Sequence, residues 1–438
     1  MVIQYLGPKC KPITKPWFSK MPSRITPELC VKCKGVRRLC GKPVCPILLR
    51  FKASVKALSQ IRIEGDNTIF GPTPPTLIVG EGGYPEVNVY SGIAPSDEED
   101  AKIFDNPVEW WGKLSLKGIV ELRSSLLLPR SKYRVSIAKY FNYPSSFHEL
   151  QLAAISLHPV DTEVKLKKKP LPILRFDGLL APLGPTAPFL NLRVIDNPKL
   201  TKIIENIIYD TDLKASNAVI ELYSKGISIY DIIRIFSAGL LGKLNERKLV
   251  PTRWSITAVD VIVGNRLVKE IRNFQPLGEI LLYNVTYLGN HFEILLLPSI
   301  YSFEMIEIWL PSTPWTASAS KPIIVENYEL WDAKLRGEMD GGYYALRLGI
   351  LENLYKMKRQ ASIVAIREIR PEYYAPVGNW HIRESARKAF LKKPEKFSSV
   401  EEALKSMSKR LMVSIDYIVK RSILLRNMLR QGKLIEYF

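Results

Sequence analysis

Four cysteines fall within sixteen residues, as Cys30-x2-Cys33-x6-Cys40-x4-Cys45. Zinc favours tetrahedral thiolate ligation, and a Cys-x2-Cys knuckle offers two sulfurs from one tight turn. In a reducing compartment such a cluster serves a metal rather than disulfides. Four protein sulfurs would fill every ligand position, so the expected Zn(2+) is structural. An iron–sulfur cluster and a set of buried free thiols are the alternatives. Arg37 and Arg38 lie between the two halves, where they could meet phosphate, and Cys10 stands apart as a spare thiol.

Further along, polar and aromatic residues concentrate in short blocks. The first is Gly80–Tyr90, whose glycines permit close backbone approach to a ligand. Leu249–Asp260 interleaves Arg253, Ser255, Thr257 and Asp260 with Trp254 and Ile256, so a strand there would align hydroxyls and a guanidinium on one face. Gly341–Arg347 and Arg367–Glu384 add Tyr343, Arg347, Arg370, Arg383 and Glu384. Arginines fork onto phosphates and aromatics stack on bases. These blocks therefore predict one pocket built from Arg253, Ser255, Asp260, Tyr343, Arg347, Arg370 and Arg383, with Asp260 or Glu384 as general base if chemistry occurs there. The competing reading makes Arg253–Asp260 and Arg367–Glu384 internal ion-pair networks. A divalent-metal nuclease needs clustered carboxylates. Glu293, Glu304 and Glu307 are candidates, but strand alternation places them on a solvated face. No Gly-x4-Gly-Lys-Ser/Thr loop is present, which argues against familiar nucleotide hydrolysis.

The chain ends Gln431-Gly-Lys-Leu434-Ile-Glu-Tyr437-Phe438. Coiled into a tight turn, Leu434, Tyr437 and Phe438 form one apolar plug, and the Gln431 amide is left to bond a partner backbone. This pattern resembles the box through which proteins bind the sliding clamp PCNA. The charge points to a polyanion as well. The net charge is +20, with thirteen lysines and arginines from Lys9 to Lys56 against Glu28 alone, and thirteen against five acids over 385–438. Neutralised phosphates release counterions, so a basic protein binds DNA or RNA without reading sequence.

The elements that must carry these groups follow from hydrophobic period and turn residues. Thr76–Val79 and Val87–Tyr90 read as strands about a glycine turn, and Lys199–Gly239 as three helices broken near Asp210–Asp212 and Lys225-Gly226. Glu279–Tyr287, His291–Leu297, Tyr301–Trp309 and Ala361–Ile369 read as strands, with a hairpin at Gly289-Asn290. Tyr343–Lys358 reads as a helix. Another, long and amphipathic, starts at Ser398 or Ser399 and runs to about Arg430. Helices and strands mix without strict alternation, which predicts an α+β fold. The expected organisation is a basic zinc-binding module (1–60), a β-rich lobe (61–166), an α+β core lobe (167–395), the C-terminal helix (396–430) and the tail (431–438). Lys165–Pro172 is the expected joint between lobes. The absence of a membrane-length apolar run and of a leader pattern predicts a cytoplasmic protein.

Nearly the whole chain resembles the archaeal Nre family of DNA-repair proteins. The resemblance rests on the cysteine cluster, Gly83–Val89, Pro182–Ala187, Val250–Asp260, Gly341–Leu348, Arg359–Ala361 and Arg367–Ile369. Two positions depart from it: Glu81 stands where a basic residue is expected, and Val261 where a second acid is expected. The family is associated with repair of damaged DNA and carries a C-terminal clamp-binding box, matched by Gln431, Leu434, Tyr437 and Phe438. It implies a DNA-repair factor recruited by the sliding clamp, with DNA as second partner, and carries no assignment of catalytic activity. The alternatives are an enzyme acting on a nucleotide or nucleic-acid end, and an RNA-associated zinc protein.

Overall fold

The computed structural model describes residues 25–42, 44–95, 101–139, 145–176, 181–338 and 341–435, with backbone alone at 145 and 431–435. Its contacts divide the chain into two compact units, one comprising Val44–Phe176 and Leu180–Val263, the other Met1–Pro43, Asp177–Leu179 and Gly264–Phe438. Each holds a six-stranded mixed sheet with helices packed on it, so the fold is α+β.

In the first unit the strands are β1 (Thr68–Thr73), β2 (Ile78–Val79), β3 (Glu86–Tyr90), β4 (Leu128–Arg134), β5 (Val160–Leu166) and β6 (Thr186–Val194). Their order is β1-β5-β6-β4-β3-β2, antiparallel except for β4 and β6. Lys165–Pro172 therefore connects neighbouring strands of one sheet, β5 and β6. The three expected helices are Lys202–Tyr209, Ala215–Ser224 and Ile229–Ser237.

Val250–Asp260 is not a strand. It opens a helix, Thr252–Ile271, that starts directly after Pro251. Proline is well placed at a helix start because the N–H it lacks would go unpaired there. Ser255, Val259, Val263, Leu267 and Ile271 are buried at four-residue spacing, which is a helical stripe. The alternation of Arg253, Ser255 and Thr257 mimics a strand over too short a window to outweigh it.

In the second unit the sheet runs β10-β9-β11-β8-β7-β12, formed by β7 (Ile280–Tyr287), β8 (Asn290–Leu297), β9 (Ser302–Trp309), β10 (Ile323–Glu329), β11 (Ser362–Ile369) and β12 (Glu395–Phe397). Leu288 and Gly289 join β7 to β8 with φ of 50° and 71°. Positive φ at both turn residues matches the twist of a two-residue hairpin. β8, β9 and β11 are buried along their whole length, because both faces of the sheet are covered. On one face, the helix Gly341–Met357 packs closely against Trp380–Ala389: a Cβ built on Gly349 would lie 2.6 Å from the Ala386 Cβ.

On the other face, Leu282, Leu295, Ile306, Val364 and Ile366 pack against Ala403, Met407, Ile418 and Leu425. The long helix expected there is three: Val400–Ser408, Ile415–Arg421 and Ile423–Ile435. The expected start is correct, since Ser399 Oγ accepts from the Glu402 amide at 3.2 Å. The breaks arise because two buried strand carboxylates take the backbone amides that a continuous helix would use. Glu368 accepts from the Met412 and Val413 amides at 2.8 and 3.3 Å. Glu304 accepts from those of Ile423 and Leu424 at 2.8 and 3.1 Å.

Candidate functional site

The three glutamates expected on a solvated face are interior: Glu293 and Glu304 are 0% exposed and Glu307 is 2% exposed. Alternation puts Glu304 and Glu307 on opposite faces of β9, and both faces are covered. Glu293 and Glu304 share the side of the C-terminal helices, where Arg410 grips Glu293 through Nε and Nη2 at 2.6 and 3.1 Å. Glu307 points to the opposite side and holds Arg367 Nη1 at 2.6 Å. The trio is thus not a metal cluster, and no group of three or more potential ligands gathers among the described residues.

The arginines of the second unit are largely neutralised in the same way. Arg347, 1% exposed, donates from Nε to Glu329 at 2.6 Å, and the buried Tyr301 hydroxyl donates to the same carboxylate. Burial pushes the Tyr301 phenol well above its ordinary range, so it remains a donor. Tyr343 packs edge-on against Phe303 beside this pair. The Tyr343 hydroxyl and Arg347 Nη2 are buried with no hydrogen-bond partner among the described residues.

Arg370 lies elsewhere in the unit, binding Glu368 at 2.8 Å and the Arg410 carbonyl at 2.7 Å on the face of the C-terminal helices. Tyr343 and Arg347 are therefore together, and Arg370 is not with them. Arg383 and Glu384 are both buried, and Glu384 accepts from Arg387 Nη1 at 2.8 Å. Arg367 Nε also reaches the Asn290 carbonyl oxygen of its amide at 3.0 Å, and Nη2 lies 3.4 Å from His381 Nε2. His381 Nδ1 is 2.6 Å from the Gly378 carbonyl, which can only accept, so Nδ1 carries the proton and Nε2 faces the arginine. Burial and the neighbouring Arg367 charge push the His381 pKa down to about 3.

Arg253, Ser255 and Asp260 belong to the first unit. Ser255 and Asp260 are buried, and Ser255 Oγ donates to the Val250 carbonyl at 3.4 Å. Arg253 turns outward to Glu81: Nη1 donates to Oε1 at 2.9 Å, while Trp254 Nε1 donates to Oε2 at 3.2 Å. Glu81 thus bridges two residues of the Val250–Asp260 block. Thr252 Oγ1 secures the same junction by accepting from the Val79 amide on the outer edge of β2 at 2.8 Å. The Tyr84 and Trp254 rings are 5.4 Å apart, with Tyr84 46% exposed.

A basic stripe lies outside the residues expected from the sequence. Arg130, Lys132 and Arg134 alternate along β4, register opposite Tyr90, Asn88 and Glu86, and face away from the buried Val87 and Val89. Arg130 Nη1 donates to Asn88 at 3.1 Å, and Lys132 pairs with Glu86 at 3.0 Å. The period-two basic pattern of 130–134 was the signal that could have revealed it.

Cys30 and Cys33 lie on one helix, Pro27–Cys33, three residues apart and so on neighbouring positions of its surface. Cys33 is buried, Cys30, Cys40 and Cys45 are partly buried, and all four thiols are free of disulfides. Their chemistry suits zinc, but they are not gathered into a ligand group among the described residues. Of the tail, Gln431 and Leu434 continue the last helix as backbone, and Tyr437 and Phe438 lie outside the described residues. No described helix is long and apolar enough to cross a membrane.

Residues 39–316 match the family model described as archaeal Nre, N-terminal, and residues 329–437 match archaeal Nre, C-terminal. The chain is 38% identical over 385 residues to the DNA repair protein NreA of Archaeoglobus fulgidus, covering 87% of this chain and 93% of that protein. It is 32% identical to the DNA repair protein NreB of the same organism, covering 91% and 97%. Identity to the DNA repair protein NreA of Haloferax volcanii is also 32%, covering 82% and 87%. No solved structure matches significantly. With both family models matched in order and these relatives covered over most of their length, the chain belongs to the archaeal Nre family.

Proposed function

We propose that this chain is a DNA-repair protein that binds DNA through exposed basic surfaces and is delivered to it by the sliding clamp. The observation that carries the reading is where the positive charge lies. Buried arginines such as Arg347 and Arg367 are neutralised by Glu329 and Glu307. Among the described residues, exposed cations such as Lys32, Lys34, Arg37, Arg38 and Arg134 contribute to the +20 excess. Exposed charge of one sign attracts polyanions over roughly a Debye length, about 8–10 Å at physiological salt. The names of the relatives support DNA repair as the setting.

In this reading Gln431, Leu434, Tyr437 and Phe438 seat in the clamp, the first two contributed by the last turns of the Ile423–Ile435 helix. Two weak contacts, clamp and DNA, reinforce one another through local concentration. Cys30, Cys33, Cys40 and Cys45 hold a structural zinc ion beside Arg37 and Arg38, a role supported by four thiols in close sequence. The test of delivery is clamp binding by the protein lacking 431–438 and by the Tyr437→Ala/Phe438→Ala variant. Both are expected to lose clamp affinity at unchanged melting temperature, and wild-type affinity in either would refute the box.

A second reading, an enzyme acting on a nucleotide, is favoured by one observation: the unsatisfied Tyr343 hydroxyl and Arg347 Nη2. Buried polar atoms without partners are rare and mark candidate sites. Turnover of any member of a nucleotide panel, lost on Tyr343→Phe, would establish it.

A further inference from the structure

The junction between the glycine turn and the Thr252–Ile271 helix is built to hold side chains at a surface. One carboxylate, Glu81, fixes the Arg253 guanidinium and the Trp254 indole N–H together. The indole cannot swing away while that bond is intact, and the half-exposed Tyr84 ring lies beside it at 5.4 Å. A rigid aromatic pair partly open to solvent costs little ordering entropy when a flat ligand stacks on it.

This platform is continuous with the basic stripe. Tyr84 and Pro85 lead directly into β3, the Pro85 carbonyl accepts from the Val135 amide at 2.9 Å, and Glu86 is opposite Arg134. The platform therefore sits at the Arg134 end of a row continuing through Lys132 to Arg130. Side chains of one strand face recur at two-residue steps of about 6.5–7 Å, close to the reach between successive phosphates of an extended single strand. Along the row the one acid is Glu86, so the stripe is net positive.

We propose that this face of the β2–β3–β4 strands takes an unpaired stretch of DNA, with a base stacked on Tyr84 and Trp254 and the adjoining phosphates on Arg134, Lys132 and Arg130. The proposal rests on the DNA-binding reading above and adds to it the strand state of the ligand and the surface. Stacking demands a base free of its helix, whereas a duplex offers only phosphates to this face. The wild type therefore prefers single strands.

The test uses the full-length protein and fluorescence anisotropy with an oligodeoxythymidylate, a duplex of equal length and an oligouridylate, over a range of salt. Removing one stacked base contact weakens single-strand binding by about tenfold, so Tyr84→Leu is expected to lose about that factor on the oligodeoxythymidylate and little on the duplex. Tyr84→Phe keeps the ring and is expected to retain binding. Lys132→Ala/Arg134→Ala is expected to lower the log–log salt slope on the single strand by roughly 1.4, at ~0.7 per phosphate contact. All variants should melt with the wild type. Unchanged single-strand affinity in Tyr84→Leu, or equal losses on both DNAs, overturns the stacking site while leaving DNA binding and clamp delivery intact. Tighter binding of the oligouridylate than of its DNA counterpart also overturns it. Loss of all nucleic-acid binding by the wild type would instead remove the reading beneath it.

Discussion

Leu424 donates its backbone N–H to the buried Glu304 carboxylate at 3.1 Å, at the start of the last helix, Ile423–Ile435. The Ser422 hydroxyl donates to the same carboxylate at 2.5 Å, so the end of one helix and the start of the next converge on one strand side chain. The positive end of the helix dipole favours an anion there.

Replacing Glu304 with Ala strands the Ile423 and Leu424 amides and the Ser422 hydroxyl in a closed interior. The expected loss of stability is about 2–4 kcal/mol, since each unsatisfied buried group costs about 1–3 kcal/mol and local relaxation recovers part. Hydrogen exchange at Ile423 and Leu424 should accelerate more than at the β9 amides. Uniform acceleration would mean that Glu304 supports the sheet rather than the helix.

The Arg347–Glu329 pair makes a different prediction. Arg347→Met alone leaves the Glu329 carboxylate buried without its cation, at an expected cost of about 3–5 kcal/mol. Adding Glu329→Gln removes the uncompensated charge and should restore a large part of that loss. Chemical denaturation of both single variants and the double decides it, and strictly additive losses would refute the coupling.

His381 ties stability to pH. Its folded pKa of about 3 lies below the ordinary value of 6.5, so between the two the unfolded chain binds a proton that the native protein excludes. Stability must therefore fall as pH drops from 6.5 toward 3, by an amount on the order of 4 kcal/mol from this group. His381→Gln, which cannot charge, should flatten the acid limb of a melting-temperature profile by about one proton's slope. A profile parallel to the wild type would place the acid sensitivity elsewhere.

The zinc proposed for Cys30, Cys33, Cys40 and Cys45 would make the fold of the segment around Pro27–Cys33 metal-dependent. Elemental analysis after chelator-free purification should find about one zinc per chain. Stripping it should lower the melting temperature, and Cys30→Ser/Cys33→Ser should abolish retention. Less than a tenth of an equivalent in the wild type would rule the site out.

By itself the sequence determined the family, the mixed α+β character, the Lys202–Ser237 helices, the β7–β8 hairpin and the burial of β11. Each of these rests on local information: hydrophobic period, turn residues with positive φ, and distinctive blocks of residues. The tertiary structure decided which polar residues face inward. Glu293, Glu304 and Glu307 are charged strand residues of the kind that normally face solvent, yet all are interior, because the helices covering both sheet faces come from distant parts of the chain. Glu304 and Ser422 meet across 118 residues, and Glu81 and Arg253 across 172. No window of sequence contains both partners, so the ends of the C-terminal helices and the Tyr84–Trp254 platform existed only once the chain had folded.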